Sequence, residues 1–325
     1  MSFLAETNSF PSATLRELIR LIRWRFKHHS GETLRAVYEL SPVFWNMEPE
    51  LQALMTERQQ EIITILKSPV GFETVLDVFV NSALEFSYAS NQFIHLDAGE
   101  LQVFRDLYAA YLLKILALLE GSVEGTELRA ALPGLLQEHF LELRTNLEHF
   151  FDPELRHAVE KNVILTPVVC AQYTPQFQLA LLRLTPETLE QPVLDLGCGK
   201  QGALVQYLRA HGVEALGVDR LVEDLPGLRP ADWMTARFSK AKWGTILSHM
   251  AFSHHFQFHH HYRYGRARTY ARQYRALLDA LKPGGSLVYT PGLPFIESLL
   301  GDEFQVVHWP VEGEAASVVR ITRLC

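Results

Sequence analysis

Cysteine is scarce in this chain: three in 325 residues, Cys170, Cys198 and Cys325. Thiols so far apart make neither a disulfide framework nor a paired-thiol metal site. A long apolar run is missing too. The uncharged stretch Asn162–Leu182 is broken by Pro167, Pro175 and three glutamines, which makes a poor membrane span. The opening segment, Met1 to His29, has no basic stretch followed by an apolar core, so no secretory leader is read and the expected location is the cytoplasm. Positive charge is not in excess: the net charge of −7 excludes a generic binder of nucleic acid or membrane surfaces, though not a local basic patch. No internal repeat and no low-complexity tract is present.

What is there is ordinary globular composition, 48% apolar and 21% charged. At roughly 150 residues per domain the length implies about two domains. The first half reads as helices. Thr14 and Glu17 have capping-box spacing, and Leu15, Leu18, Ile19, Ile22 and Phe26 follow at helical intervals with arginines and lysine between them. Further helical stretches run over about 48–67, 72–86, 98–119 and 125–150. Pro69 with Gly71, Ser90 with Asn91, and Gly121 punctuate them. After about residue 160 the pattern changes. Thr174 and Pro175 open a helix over 176–184. Short apolar runs at 193–196, 214–218, 244–247, 286–289, 304–307 and 318–322 then alternate with helical stretches. That alternation predicts a parallel-type sheet with helices on both faces. The boundary falls near residue 165.

The sharpest local signal is Val193-Leu194-Asp195-Leu196-Gly197-Cys198-Gly199-Lys200-Gln201-Gly202, between a predicted strand and a predicted helix. Glycines there let the backbone turn tightly and approach a ligand. Asp219 closes the next strand, where a carboxylate can accept both hydroxyls of a ribose. Gly197, Gly199 and Gly202 spell the dinucleotide fingerprint, with an acid at about the right remove. The same turn and acid also suit S-adenosylmethionine (SAM). Asp195 separates the two readings: a carboxylate two residues before the first glycine suits a cationic methionine moiety and repels a pyrophosphate. SAM is the preferred cofactor, and an NAD-dependent oxidoreductase is the weaker alternative.

Over roughly residues 170–325 the chain resembles the class I SAM-dependent methyltransferases. The residues that carry the resemblance are 193–202, Gly217-Val218-Asp219, Trp243–Ser248, and Leu278–Ser286 with its Lys282-Pro283-Gly284-Gly285 string. The resemblance implies an α/β fold: a Rossmann-like seven-stranded methyltransferase domain at 166–325, its last strands an antiparallel hairpin, preceded by an all-helical N-terminal domain at 1–165. It also implies that Gly197, Cys198, Gly199 and Gly202 pass beneath the SAM. Asp195 then sits near the methionine end, Asp219 holds the ribose, Asp232 and Trp233 meet the adenine, and Ser248 lies beside the reacting methyl. One departure is Gln201, where the family commonly places its third glycine; here the glycine is Gly202.

The acceptor is less legible. Residues 233–278 hold eight basic residues and no Asp or Glu, leaving −15 for the rest of the chain. Attraction of a small anionic substrate is one reading, with Tyr262, Arg263 and Arg266 as candidate contacts; solvated helix and loop faces are the other. The same segment contains His249, His254, His255, His259, His260 and His261. Histidine supplies a base near neutral pH, a metal ligand or a pocket wall. His254 and His255 are the candidate bases, and no metal is expected because zinc-type spacing is missing. Neither the Asn/Asp-Pro-Pro-Tyr/Phe tetrapeptide of amide-nitrogen methylation nor a cysteine pair for carbon methylation follows the predicted strand at 244–247. Oxygen or amine nitrogen of a small molecule is the expected acceptor. The helical half has three readings: substrate cover, homodimer interface, or accessory binding. The basic helix Arg16–Lys27, with Trp24, permits contact with RNA, so an RNA-modifying methyltransferase is the alternative function.

Overall fold

The computed structural model describes residues 12–29, 32–41, 44, 46–121, 125–150, 165, 168, 173–262, 265–311 and 316–325. Contacts divide the chain into two compact units, Met1–Cys170 and Ala171–Cys325.

The first unit is helical among its described residues: α1 (Ala13–His28), α2 (Leu34–Tyr38), α3 (Pro49–Glu57), α4 (Gln59–Lys67), α5 (Pro69–Ser90), α6 (Ala98–Glu120) and α7 (Gly125–Leu147). An isolated parallel bridge joins Asn91 to Val168; most of the β-branched stretch at 162–169 lies outside the described residues. Three sequence readings change. Thr14 does not cap α1. Its hydroxyl donates to the Glu61 carboxylate, and Ser12 caps instead, accepting from the Leu15 amide at 3.1 Å. The stretch read as a helix over about 48–67 breaks at Arg58 into α3 and α4. Pro69, read as a breaker, is the first residue of α5 behind the Ser68 cap, a position where its missing N–H costs nothing. Leu18, Leu21 and Ile22 of α1 sink into a core with Val75, Leu76, Tyr111, Ile115, Leu128 and Leu132.

The second unit holds α8 (Pro175–Leu181), α9 (Ala203–Ala210), α10 (Phe252–His261), α11 (Ala267–Ala280) and α12 (Pro294–Glu297). Its strands are β1 (Val193–Leu196), β2 (Ala215–Asp219), β3 (Leu228–Pro230), β4 (Trp243–His249), β5 (Leu281–Thr290), β6 (Phe304–Pro310) and β7 (Ser317–Arg323). They form one sheet ordered β3-β2-β1-β4-β5-β7-β6. All neighbours through β5 are parallel, and β7 pairs antiparallel with both β5 and β6. Short β3 is absent from the sequence reading because its three residues include Pro230 and are only half-buried or exposed.

The sheet has two apolar layers, and alternation decides which residue serves which. Leu194, Leu196, Ile246, Leu287 and Tyr289 pack with Phe252, Phe256, Tyr270, Tyr274 and Leu277 of α10 and α11. Val193, Leu247 and Val288 pack with Leu179, Leu204, Val205 and Leu208 of α8 and α9. Strand order reverses between β1 and β4, and a ligand crevice is expected beyond the carboxyl ends of those strands. No helix of the described residues is long and apolar enough to cross a membrane.

Candidate active site

The glycine turn begins where β1 ends. Gly197, Gly199 and Gly202 all adopt positive φ, at 82°, 73° and 56°, a region non-glycine residues enter at a cost. They differ in what surrounds them. A Cβ on Gly197 meets Ala251 Cβ at 2.3 Å and the Trp233 ring at 2.8 Å; on Gly202 it meets Leu228 at 2.3 Å; on Gly199 it meets nothing within 4 Å. Two glycines are therefore fixed by packing inside the protein, and the third faces open space. The Gly197 amide donates to Val218 O at 2.8 Å, and the Gly199 amide donates to Asp219 Oδ2 at 3.2 Å. Asp219 Oδ1 accepts from the Leu221 amide at 3.0 Å. The acid at the end of β2 thus holds the turn that follows β1.

Asp195 is 2% exposed, and its Oδ2 is buried without a hydrogen-bond partner. Burial, with Asp219 adding like charge, pushes its pKa up to about 7. A buried carboxylate oxygen lacking a donor is costly, and a cationic ligand would offset that cost. Beside it, burial first and then Asp195 and Asp219 push the Cys198 thiol well above its ordinary range, so it is no thiolate nucleophile.

Asp232 and Trp233 follow β3. Asp232 Oδ1 accepts from the Met234 amide at 2.8 Å. The Trp233 ring stands edge-on to His255 at 5.1 Å, and its indole bonds to the Tyr270 hydroxyl. The Trp233 ring also packs against the Gly197 position of the turn.

β4 runs two residues past the apolar stretch 244–247, to His249, and Ser248 is 1% exposed. Ser248 Oγ accepts from the Phe252 amide at 3.0 Å, so its role in the fold is to start α10. The histidines that follow lie on that helix rather than on a loop. His255 is 3% exposed, with Nδ1 3.5 Å from the Tyr270 hydroxyl, and forms a wall behind Trp233. His254 is half-buried, and burial lowers its pKa. His259 is buried, with its ring 5.0 Å from that of Tyr270, whereas His260 and His261 are exposed. No three His, Cys, Asp or Glu side chains gather into a metal-holding group among the described residues.

The basic segment does not stay together at the crevice. Lys242 precedes β4 at its amino end, and Arg275, near the end of α11, pairs with Asp279 at 3.0 Å and Glu303 at 3.4 Å. The Lys242 amide donates to Ala280 O at 2.9 Å, which fixes that group at the amino end of the strands, opposite the crevice. Arg266, just before α11, is half-buried, and its amide donates to His259 Nδ1 at 3.4 Å. The Tyr262 ring stacks on Phe258 at 5.4 Å. Arg263 lies outside the described residues.

One histidine outside the two candidate bases stands at the carboxyl end of β4. His249 closes β4, with Nε2 buried and lacking a hydrogen-bond partner; burial lowers its pKa to about 4. Its ring meets Tyr173 at 4.9 Å and Phe177 at 6.2 Å, both edge-on. The next residue, Met250, has φ +50°, a strained value for a side-chain-bearing residue and one frequent at functional turns. Its signal in the sequence is positional: His249 stands just beyond the apolar run 244–247 and ahead of the five later histidines.

The strand order, with its antiparallel β7 inserted between β5 and β6, is that of the class I SAM-dependent methyltransferases. The second unit has that fold. It departs from the 3-2-1-4-5-6 order of dinucleotide-binding domains, which counts against the NAD reading. No family model matches the chain, and no curated protein matches it. Solved structures do. A SAM-dependent methyltransferase from Mesorhizobium loti is 21% identical over 45% of this chain and 73% of its own, with a TM-score of 0.27. The 16S rRNA methylase RmtB is 14% identical over 92% and 98%, with a TM-score of 0.30. A "possible exported protein" from Bordetella parapertussis is 12% identical over 99% of each chain, with a TM-score of 0.29. Likeness at these TM-scores carries no functional weight; the strand order defines the fold by itself.

Proposed function

We propose that this chain is a SAM-dependent methyltransferase acting on an oxygen or amine nitrogen of a small molecule. The observation that carries the reading is Asp195, a buried carboxylate with an orphaned oxygen beside a glycine turn that opens outward at Gly199. That arrangement fits a cation approaching along the backbone. Bound there, SAM supplies an electrophilic methyl on a sulfonium. Asp195 faces the positive charge. Asp219 accepts from the ribose hydroxyls while keeping its bonds to Gly199 and Leu221. Asp232 and Trp233 close the adenine end, and Gly197, Cys198 and Gly202 shape the floor. The chain's own contribution to rate is alignment of acceptor and methyl. Calorimetry with SAM and with NAD tests this directly: SAM binds and NAD does not, and the opposite result overturns the reading. A screen with labelled SAM against small acids, amines, peptides and RNA then identifies the acceptor.

RNA modification is the second reading, and one observation favours it. On α1, Arg16, Arg20, Arg23 and Lys27 are exposed, and Trp24, 40% exposed, stacks on His28 at 4.6 Å. Aromatic and basic groups on one face suit single-stranded nucleic acid. The charge of that face is reduced by one ion pair, Arg20 with Glu17 at 2.7 Å.

A further inference from the structure

The carboxyl end of β4 carries a group of side chains that the cofactor reading leaves without a task. Tyr173 and Phe177 stack on each other at 5.2 Å, tilted by 17°, and remain 38% and 49% exposed. They flank the start of α8, where Thr174 accepts from the Phe177 amide at 3.2 Å and fixes the first turn. Single exposed aromatics are ordinary. A stacked exposed pair standing edge-on against a buried imidazole nitrogen that lacks a partner is a different arrangement, because it offers flat apolar faces beside one unmet polar group.

Alternation places this group on the same sheet face as Asp195. Asp195 pairs with Leu247, and His249 follows Leu247 by two residues, about 6.6 Å further along the same face. His254 and His255 sit instead on α10, which packs the other layer. We propose that Tyr173, Phe177 and His249 form the acceptor site, and that it takes a flat heteroaromatic ring. The ring lies against the aromatic pair, beside the half-buried His249 side chain. Burial keeps that imidazole neutral at pH 7, so it adds no charge to the site.

This inference rests on the methyltransferase reading, and the experiment keeps the two separable. Quinoline serves as the flat probe and cyclohexylamine as a non-aromatic control, each titrated by saturation-transfer NMR against the full chain. Saturating S-adenosylhomocysteine occupies the nucleoside site throughout. Quinoline is expected to bind and cyclohexylamine not. Phe177→Ala and Tyr173→Ala are each expected to weaken quinoline about five- to a hundredfold, the range for loss of one stacking partner. Phe177→Leu, which keeps apolar area but removes the flat ring, is expected to weaken it similarly. S-adenosylhomocysteine affinity by calorimetry stays unchanged in all three. Equal binding of both probes, or quinoline binding unaffected by Phe177→Ala, overturns the proposal while leaving the cofactor reading intact. Absence of S-adenosylhomocysteine binding to the unaltered chain overturns the reading on which the proposal rests.

Discussion

The Gly199 amide donates to Asp219 Oδ2 across 3.2 Å, so the turn after β1 is held by the acid that ends β2. Asp219 therefore has two tasks in the proposed cofactor site: it shapes the loop and it receives the ribose. Asp219→Ala removes both. Hydrogen bonds to a charged group are worth about 1.5–3 kcal/mol, so SAM affinity is expected to fall roughly ten- to a hundredfold or more. Asp219→Asn keeps one oxygen for the Gly199 amide and is expected to lose less. Calorimetry on both variants checks the order.

Asp195 sets stability against binding. Its folded pKa of about 7 lies above the ordinary carboxylate value, so the ligand-free fold binds an extra proton over that interval. The stabilisation is full below about pH 4 and is lost as pH rises through about 7, at up to roughly 1.4 kcal/mol per pH unit. Asp195→Asn removes this loss. In urea unfolding it is expected to be more stable than the unaltered chain at pH 8 by on the order of a few kcal/mol, with a smaller gain at pH 5. Its SAM affinity is expected to drop. An Asp195→Asn chain that is both less stable at pH 8 and unaltered in SAM binding contradicts the assignment.

The glycines of the turn are expected to behave differently. Gly197→Ala drives a methyl into Ala251 and Trp233, so both folding and binding suffer. Gly199→Ala meets no neighbour and carries only the left-handed strain, about 1–2 kcal/mol. It is expected to fold with a modest fall in Tm and to bind SAM poorly, because its methyl projects to the ligand side. Thermal melts paired with calorimetry separate the two.

His139 in the helical unit is 2% exposed, and neither ring nitrogen has a hydrogen-bond partner. It lies 4.6 Å from Tyr111, near parallel, and 4.5 Å from Tyr108, edge-on. Burial lowers its pKa to about 3. The unfolded chain binds a proton there that the folded chain refuses, so stability falls as pH drops from about 6.5 toward 3, by up to roughly 1.4 kcal/mol per unit. His139→Leu removes two unsatisfied polar atoms and this proton linkage. Melts of the full chain from pH 7 to pH 4 are expected to show a shallower decline for the variant, with no loss at pH 7.

Much of the second unit was legible in the sequence because its signals are local. Val193–Leu196 reads as a buried strand, Thr174 and Pro175 as a helix start, and the glycine turn as a turn, each from neighbouring residues alone. β3 was not legible, since three half-exposed residues carry no periodicity. Nor was the division of the basic residues between two ends of the sheet, which depends on α11 running back along β4 and β5. Ser248 shows a related difficulty. A hydroxyl at a strand end looks available, but whether it is free for a ligand or accepts from the first amide of the next helix depends on where the strand stops. His249 lies two residues past the apolar run 244–247, where the sequence carries no strand signal.

β4 ends on two adjacent polar residues that point to opposite layers. The hydroxyl of Ser248 starts the helix on one side, and the imidazole of His249 stands on the side of Asp195. Parity along the strand is thus a determinant in its own right. Inserting or deleting one residue between Thr245 and Ser248 would exchange the two, leaving α10 without its acceptor and the crevice with a hydroxyl in place of a ring. A variant chain can alter the apolar side chains of β4 more freely than it can alter the count of residues between Trp243 and His249.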